Sequence, residues 1–245
     1  MKVQNVLDAV WEIAPQELAE AWDNVGLLAG HPDHPVSKVL CALDLTNAVL
    51  DEAIATGAEL IVTHHPILFR GRKNLREDDP EGALLVRLVR SGIAMIAMHT
   101  NFDNAAPGVN DALAEAMGLC NVRIAGNYLR VGNIAHMPLS RLIALTAEKL
   151  NTVVRPYGDP DRMIDWVAVM GGSGGDYYRE AVSAGAQAFI TGEIGYHIAM
   201  SAVDEGLCVL EAGHAATERV AVSSIAAGLR ERLNNITIFE STAHR

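Results

Sequence analysis

Side chains that bind metal ions stand at the ends of short apolar runs. His64 and His65 follow ELIVT, Asp103 lies beyond His99 after IAMIAM, and His214 with Glu218 follows LCVLEAG. Neighbouring residues of a strand face opposite ways, so His64 and His65 converge poorly on one ion but suit a pair of ions, one each. His214 and Glu218 have i, i+4 spacing, which sets both on one side of the first turn of a helix. A carboxylate from Glu218 or Asp103 would then bridge the pair. Imidazole and carboxylate without thiolate suit iron, zinc, manganese, cobalt or nickel and disfavour calcium. Two such ions sharing a water bring its pKa toward neutrality, which is hydrolytic chemistry at carbon or phosphorus.

Each group also has a plainer use. The doublet before Pro66 can close a loop, HTNFDNAAPG is rich in turn formers, and Glu218 suits the positive end of a helix. His99 serves equally as a ligand or as a partner that orients Asp103 or a water. Glu193, in ITGEIGYH, ends another strand and is a candidate general base, as His99 is for proton transfer. Arg70, Arg72, Lys73 and Arg76 form a dense basic cluster just after the doublet, suited to an anionic small molecule such as a nucleotide triphosphate, or else balanced by Glu77, Asp78 and Asp79. The GGSGG run at 171–175 lacks the Lys and Ser or Thr of a phosphate-binding loop and is better read as a tight turn.

The elements that must position these residues alternate between apolar strand-like runs and helical segments, the mark of a layered α/β protein. Helices are predicted over 3–11, 14–20, 47–56 with Thr46 as cap and Gly57 as stop, 81–92 and 108–118. Strands are predicted over 38–46 and at ELIVTHHP, with IAMIAMHTNFD a strand and turn. Residues 119–139 read as a hairpin or crossover. A second series follows: helix 140–150, strands 152–156 and 164–170, helix 176–184, strand 187–191, helix 195–205, strand 207–212, helix 215–233 and a closing strand at ITIFE. Each half thus carries three apolar strands ending in polar punctuation, a weak pseudo-symmetry. With the halves facing each other, the candidate ligands would meet off the carboxyl ends of strands.

The chain of 245 residues has 19 Lys plus Arg against 30 Asp plus Glu, a net charge of -11 that disfavours general nucleic-acid binding. Three widely spaced cysteines fit a reducing cytoplasm, and no window is apolar enough to span a membrane.

WDNVGLL at 22–28, ALDLT at 42–46, VTHHPILF at 62–69, HTNFD at 99–103, ITGE at 190–193 and AGHAATE at 212–218 together resemble the Nif-three-like (YbgI-like) family. Its members are often labelled GTP cyclohydrolase I type 2 homologs. The resemblance covers essentially the whole chain and implies two related, interleaved α/β lobes, about 1–120 and 121–245, with no inserted domain and a dinuclear metal cleft between them. It implies His64, His65, Asp103, His214 and Glu218 as ligands of two divalent ions per chain, and a toroidal homohexamer. The activity it implies is hydrolytic opening of the guanine imidazole ring of GTP by attack at C8. The alternatives are a metal-dependent phosphoesterase acting on nucleotides or nucleic acid, and a non-catalytic metal-binding or interaction protein.

Overall fold

The structure is a computed structural model in which residues 1–243 are described. The chain forms two compact units. The first is Met1–Ala105 together with the described residues from Val222 onward, and the second is Ala106–Ala221.

The first unit is built on a five-stranded sheet. Strands β2 (Lys38–Ala42), β3 (Leu60–Thr63) and β4 (Ala94–Ala97) run parallel in that order. β1 (Gly26–Ala29) adds antiparallel to β4, and β11 (Thr237–Glu240) adds parallel to β2. LIVT of β3 and AMIA of β4 are buried throughout, as strands covered on both faces must be. Helices α2 (Asn47–Thr56) and α3 (Pro80–Ser91) place Leu50, Ala53, Leu84 and Leu88 in one core with Leu40, Ile61 and Met95. The predicted ends of α2 hold: Thr46 accepts from the Val49 amide at 3.2 Å, and Gly57 closes the helix in the left-handed region at φ 70°. Helix α1 (Val3–Ile13) buries Val3, Val6 and Val10, one stripe at helical spacing.

The second unit carries a six-stranded sheet. Its parallel strands are β8 (Met163–Met170), β9 (Ala188–Thr191) and β10 (Cys208–Glu211). β7 (Arg155–Tyr157) lies antiparallel beyond β10, while the hairpin β5 (Cys120–Ala125) and β6 (Leu129–Pro138) extends the β8 edge. Strand alternation sends Val167, Val169, Ile190 and Leu210 into one core and Ala168, Phe189 and Val209 into another. Helices α5 (Val109–Ala116) and α6 (Leu139–Leu150) pack into the first core, and α7 (Tyr178–Ser183) and α8 (Tyr196–Asp204) into the second.

Both units follow one plan. An antiparallel strand, β1 or β7, precedes three parallel strands and is placed beside the third of them. Local departures from the sequence expectation have local causes. Residues 14–20 make only a 3-10 turn over Gln16–Leu18, and the β2 strand stops at Ala42. The strand expected at 152–156 lies at Arg155–Tyr157, where it pairs with β10. HTNFD leads into a short helix, α4 (Thr100–Asn104), with His99 as its N-cap, and β1 is a half-buried edge strand absent from the sequence expectation. The compact units also partition the chain differently from a single cut near residue 120. α5 places Leu113, Ala114 and Met117 in the second unit's core, and β11 returns to β2.

Candidate metal centre

In the first unit the candidate ligands follow the carboxyl ends of β3 and β4. The β3 ladder ends at Thr63, whose hydroxyl donates to the His65 carbonyl at 2.7 Å and turns the chain. Strict strand alternation therefore does not govern the histidine doublet, and the two rings lie with centroids 4.9 Å apart. The His99 ring stands edge-on to both, at 5.2 Å from His64 and 5.6 Å from His65. One ring nitrogen from each of the three lies within 4.8 Å of the others. Asp103, in the first turn after His99, brings Oδ1 to 3.7 Å from Nε2 of the buried His64.

The protonation of these rings follows from what stands behind them. Nδ1 of His64 is 2.9 Å from the Met98 carbonyl oxygen, which only accepts, so Nδ1 carries the proton and Nε2 keeps its lone pair. Nδ1 of His65 donates to Asp44 at 2.8 Å, and Nδ1 of His99 donates to Asp23 at 2.9 Å. A proton-accepting group behind each imidazole, with the other nitrogen turned to the site, is the arrangement that holds histidine as a metal ligand. Asp23 also accepts from the Thr100 amide at 3.0 Å and hydroxyl at 2.5 Å. Burial opposes its ionisation, but the hydrogen bonds from His99 and Thr100 prevail and hold its carboxyl well below the usual range.

In the second unit the candidates follow β9 and β10. His214 opens helix α9 (His214–Arg232), with Nε2 3.1 Å from Glu218 Oε2 and Nδ1 3.4 Å from Glu193 Oε2. The hydrogen bond from the Ser173 hydroxyl at 2.6 Å, helped by His214, holds the Glu193 carboxyl below its ordinary value against partial burial. Glycine makes this packing possible. A Cβ on Gly172, at φ 61°, would lie 2.2 Å from Glu218 Oε1, and one on Gly192 would lie 2.8 Å from the His214 Cα. The amides of Gly171 and Gly172 donate to Asn110 and to Thr217, and a bend at Gly172 and Ser173 leads into a 3-10 helix over Gly174–Tyr177, so the run is stitched to its own unit but is not a single tight turn.

The residues present fit a divalent metal. The first unit offers three imidazoles with set tautomers and one carboxylate, the second one imidazole and a buried carboxylate, with no thiolate among them. The basic loop is partly committed elsewhere. Arg72 pairs with Asp79, the cap of α3, and with Glu81 at 2.5 Å, while Arg76 donates to Asp78 at 2.8 Å. Arg70 and Lys73 are exposed.

The sequence profile described as Duf34/NIF3 (NGG1p interacting factor 3) matches residues 1–245. The chain belongs to the DUF34/NIF3 family. The Clostridium perfringens protein named GTP cyclohydrolase 1 type 2 homolog is 34% identical over 96% of this chain and 94% of its own length. A Streptomyces coelicolor protein of the same name is 38% identical over 89% of this chain and 80% of its own. The crystal structure of Staphylococcus aureus hypothetical protein SA1388 matches with a TM-score of 0.94 at 31% identity, covering 99% of this chain and 96% of that one. The α/β architecture is thus that of NIF3 proteins. Among the described residues no helix is long and apolar enough to cross a membrane.

For this NIF3-family chain, sequence reasoning missed Asp23 and Asp44, which set the histidine tautomers. Both lie inside the quoted segments WDNVGLL and ALDLT. Asp44 lies just past β2, which was the available signal, whereas Asp23 precedes β1 and had no strand end to mark it. Ser173, which holds Glu193, was hidden in a run read only for its glycines.

Proposed function

We propose that this chain is a metal-dependent hydrolase acting on a nucleotide, with His64, His65, Asp103, His214 and Glu218 holding a pair of divalent ions. The observation that carries the reading is the histidine group of the first unit: three rings, each with Nδ1 donating to a fixed acceptor, and ring nitrogens within 4.8 Å of one another. When bound, such ions supply a water of lowered pKa and a positive field for developing negative charge.

The chain's own residues supply the rest. His99, braced by Asp23, and Glu193, braced by Ser173, are placed to take and return protons. Exposed Arg70 and Lys73 offer positive charge to phosphates in an acidic chain. The names of the relatives support GTP as the nucleotide. On this reading one water adds at C8 of the guanine, a ring carbon–nitrogen bond breaks to leave a formamide, and the leaving nitrogen takes a proton. The toroidal homohexamer belongs to the same reading and is checked by sedimentation.

The test is incubation of metal-loaded protein with GTP, following guanine absorbance and phosphate release. Loss of the guanine band without phosphate release is expected. Phosphate release with the band intact would replace ring opening by phosphoester hydrolysis, and neither change would remove the hydrolase reading for GTP.

A further inference from the structure

Two large aromatic side chains stand beside the histidine group without entering the core. Trp22 is 60% exposed and Phe69 is 45% exposed. Their rings meet edge to face with centroids 5.6 Å apart, and both stand edge-on to His99, at 6.2 and 5.9 Å. An edge-to-face pair leaves ring faces uncovered, which is the surface on which another π-system stacks. Leaving that much apolar surface in water forgoes burial energy of roughly 25 cal/mol per Å².

The placement of the pair is built. Asp23, next to Trp22, is the acceptor for His99 and Thr100, and the Asn24 side-chain amide donates to the Leu68 carbonyl at 2.7 Å, next to Phe69. Consecutive residues of one segment therefore fix Trp22, the backbone that carries Phe69, and the tautomer of His99. Exposed Arg70 follows Phe69 directly, so positive charge lies adjacent in sequence to the aromatic pair.

We propose that Trp22 and Phe69 form a stacking subsite for a planar heteroaromatic ring, the base of an anionic nucleotide, beside the histidine group. This rests on the hydrolase reading and deepens it by naming the residues that hold the base, so that phosphate esters without a base bind more weakly. Base–aromatic stacking is worth about fivefold to somewhat over a hundredfold in affinity per base.

The experiment is titration of the full-length protein with guanosine monophosphate and with ribose 5-phosphate, following tryptophan fluorescence and calorimetric affinity. Saturable quenching by the nucleotide but not by the sugar phosphate is expected. Trp22→Ala should weaken nucleotide binding by about tenfold or more, Trp22→Phe should keep it within about threefold, and metal content per chain should match wild type in both. Equal binding of the two probes, or wild-type nucleotide affinity in Trp22→Ala, would overturn the subsite. Dissociation of Trp22→Ala into smaller species with nucleotide affinity unchanged would also overturn it, assigning the rings to a contact with a second copy. The two readings fail separately. Nucleotide binding without any turnover of GTP removes the hydrolase and keeps the subsite, whereas GTP turnover unaffected by Trp22→Ala does the reverse.

Discussion

The two units carry candidate site residues at the same steps of the same topology, past the second and third of three parallel strands, yet they hold them by different means. In the first unit each imidazole is fixed from behind, by Met98, Asp44 or Asp23 on its Nδ1. In the second, His214 and Glu218 sit in a wall from which side-chain bulk has been removed, with Gly172 and Gly192 against them. A hydrogen-bonded acceptor sets both the position and the tautomer of a ring. A missing Cβ sets position alone, and leaves the charge of a carboxylate to its neighbours.

Asp23→Ala should break the first arrangement with the largest effect. The Asp23 side chain is fully buried, and its loss strands the His99 Nδ1 proton and the Thr100 donors, which should cost about 3 kcal/mol in urea unfolding. Asp44 is 48% exposed, so Asp44→Ala should leave stability nearly unchanged while lowering metal affinity by about tenfold or more, read by competitive chelation. Equal stability losses in the two variants would show that the acceptors brace the fold rather than the rings.

The second arrangement is tested by Gly172→Ala against Gly185→Ala. Both glycines have positive φ, 61° and 80°, but a Cβ at 185 meets nothing within 4 Å. Gly185→Ala should cost about 1 kcal/mol of backbone strain. Gly172→Ala should cost about 2 kcal/mol or more because Glu218 must also move. Matching losses would mean that the glycine wall does not define the Glu218 position.

A smaller effect concerns how the first unit recruits its last strand. Burial of Glu52 opposes ionisation, but hydrogen bonds from the Ser241 hydroxyl and from the Thr242 amide and hydroxyl lower its pKa from 4.5. A carboxyl with a depressed folded pKa contributes stability above its unfolded value and loses it as pH falls through the folded one. Wild type should exceed Glu52→Gln by less than about 1 kcal/mol at pH 7, with the gap closing as pH drops below 4.5. A gap unchanged at acid pH would detach the C-terminal segment from this contact.

Much of this was legible in the sequence because it rests on local rules. Apolar runs such as LIVT and AMIA announce buried strands, and the Thr46 and Gly57 pair marks both ends of α2. The polar residues at strand ends were equally visible, since ligands gather where parallel strands finish. What stayed hidden depends on long-range partners. Asp23 reaches His99 across 76 positions, and β11 finds β2 from the far end of the chain. The glycines of GGSGG look alike in sequence; only the fold shows that the one at 172 faces a carboxylate.

The central claim is that the braced His64 and His65 and the glycine-walled Glu218 are metal ligands. It is tested most directly by elemental analysis of protein purified without added metal, beside His65→Ala and Glu218→Ala variants. About two divalent ions per chain are expected in the wild type and fewer in each variant, with circular dichroism unchanged. Wild-type protein without stoichiometric metal, unable to take up iron, zinc, manganese, cobalt or nickel on dialysis, would contradict it.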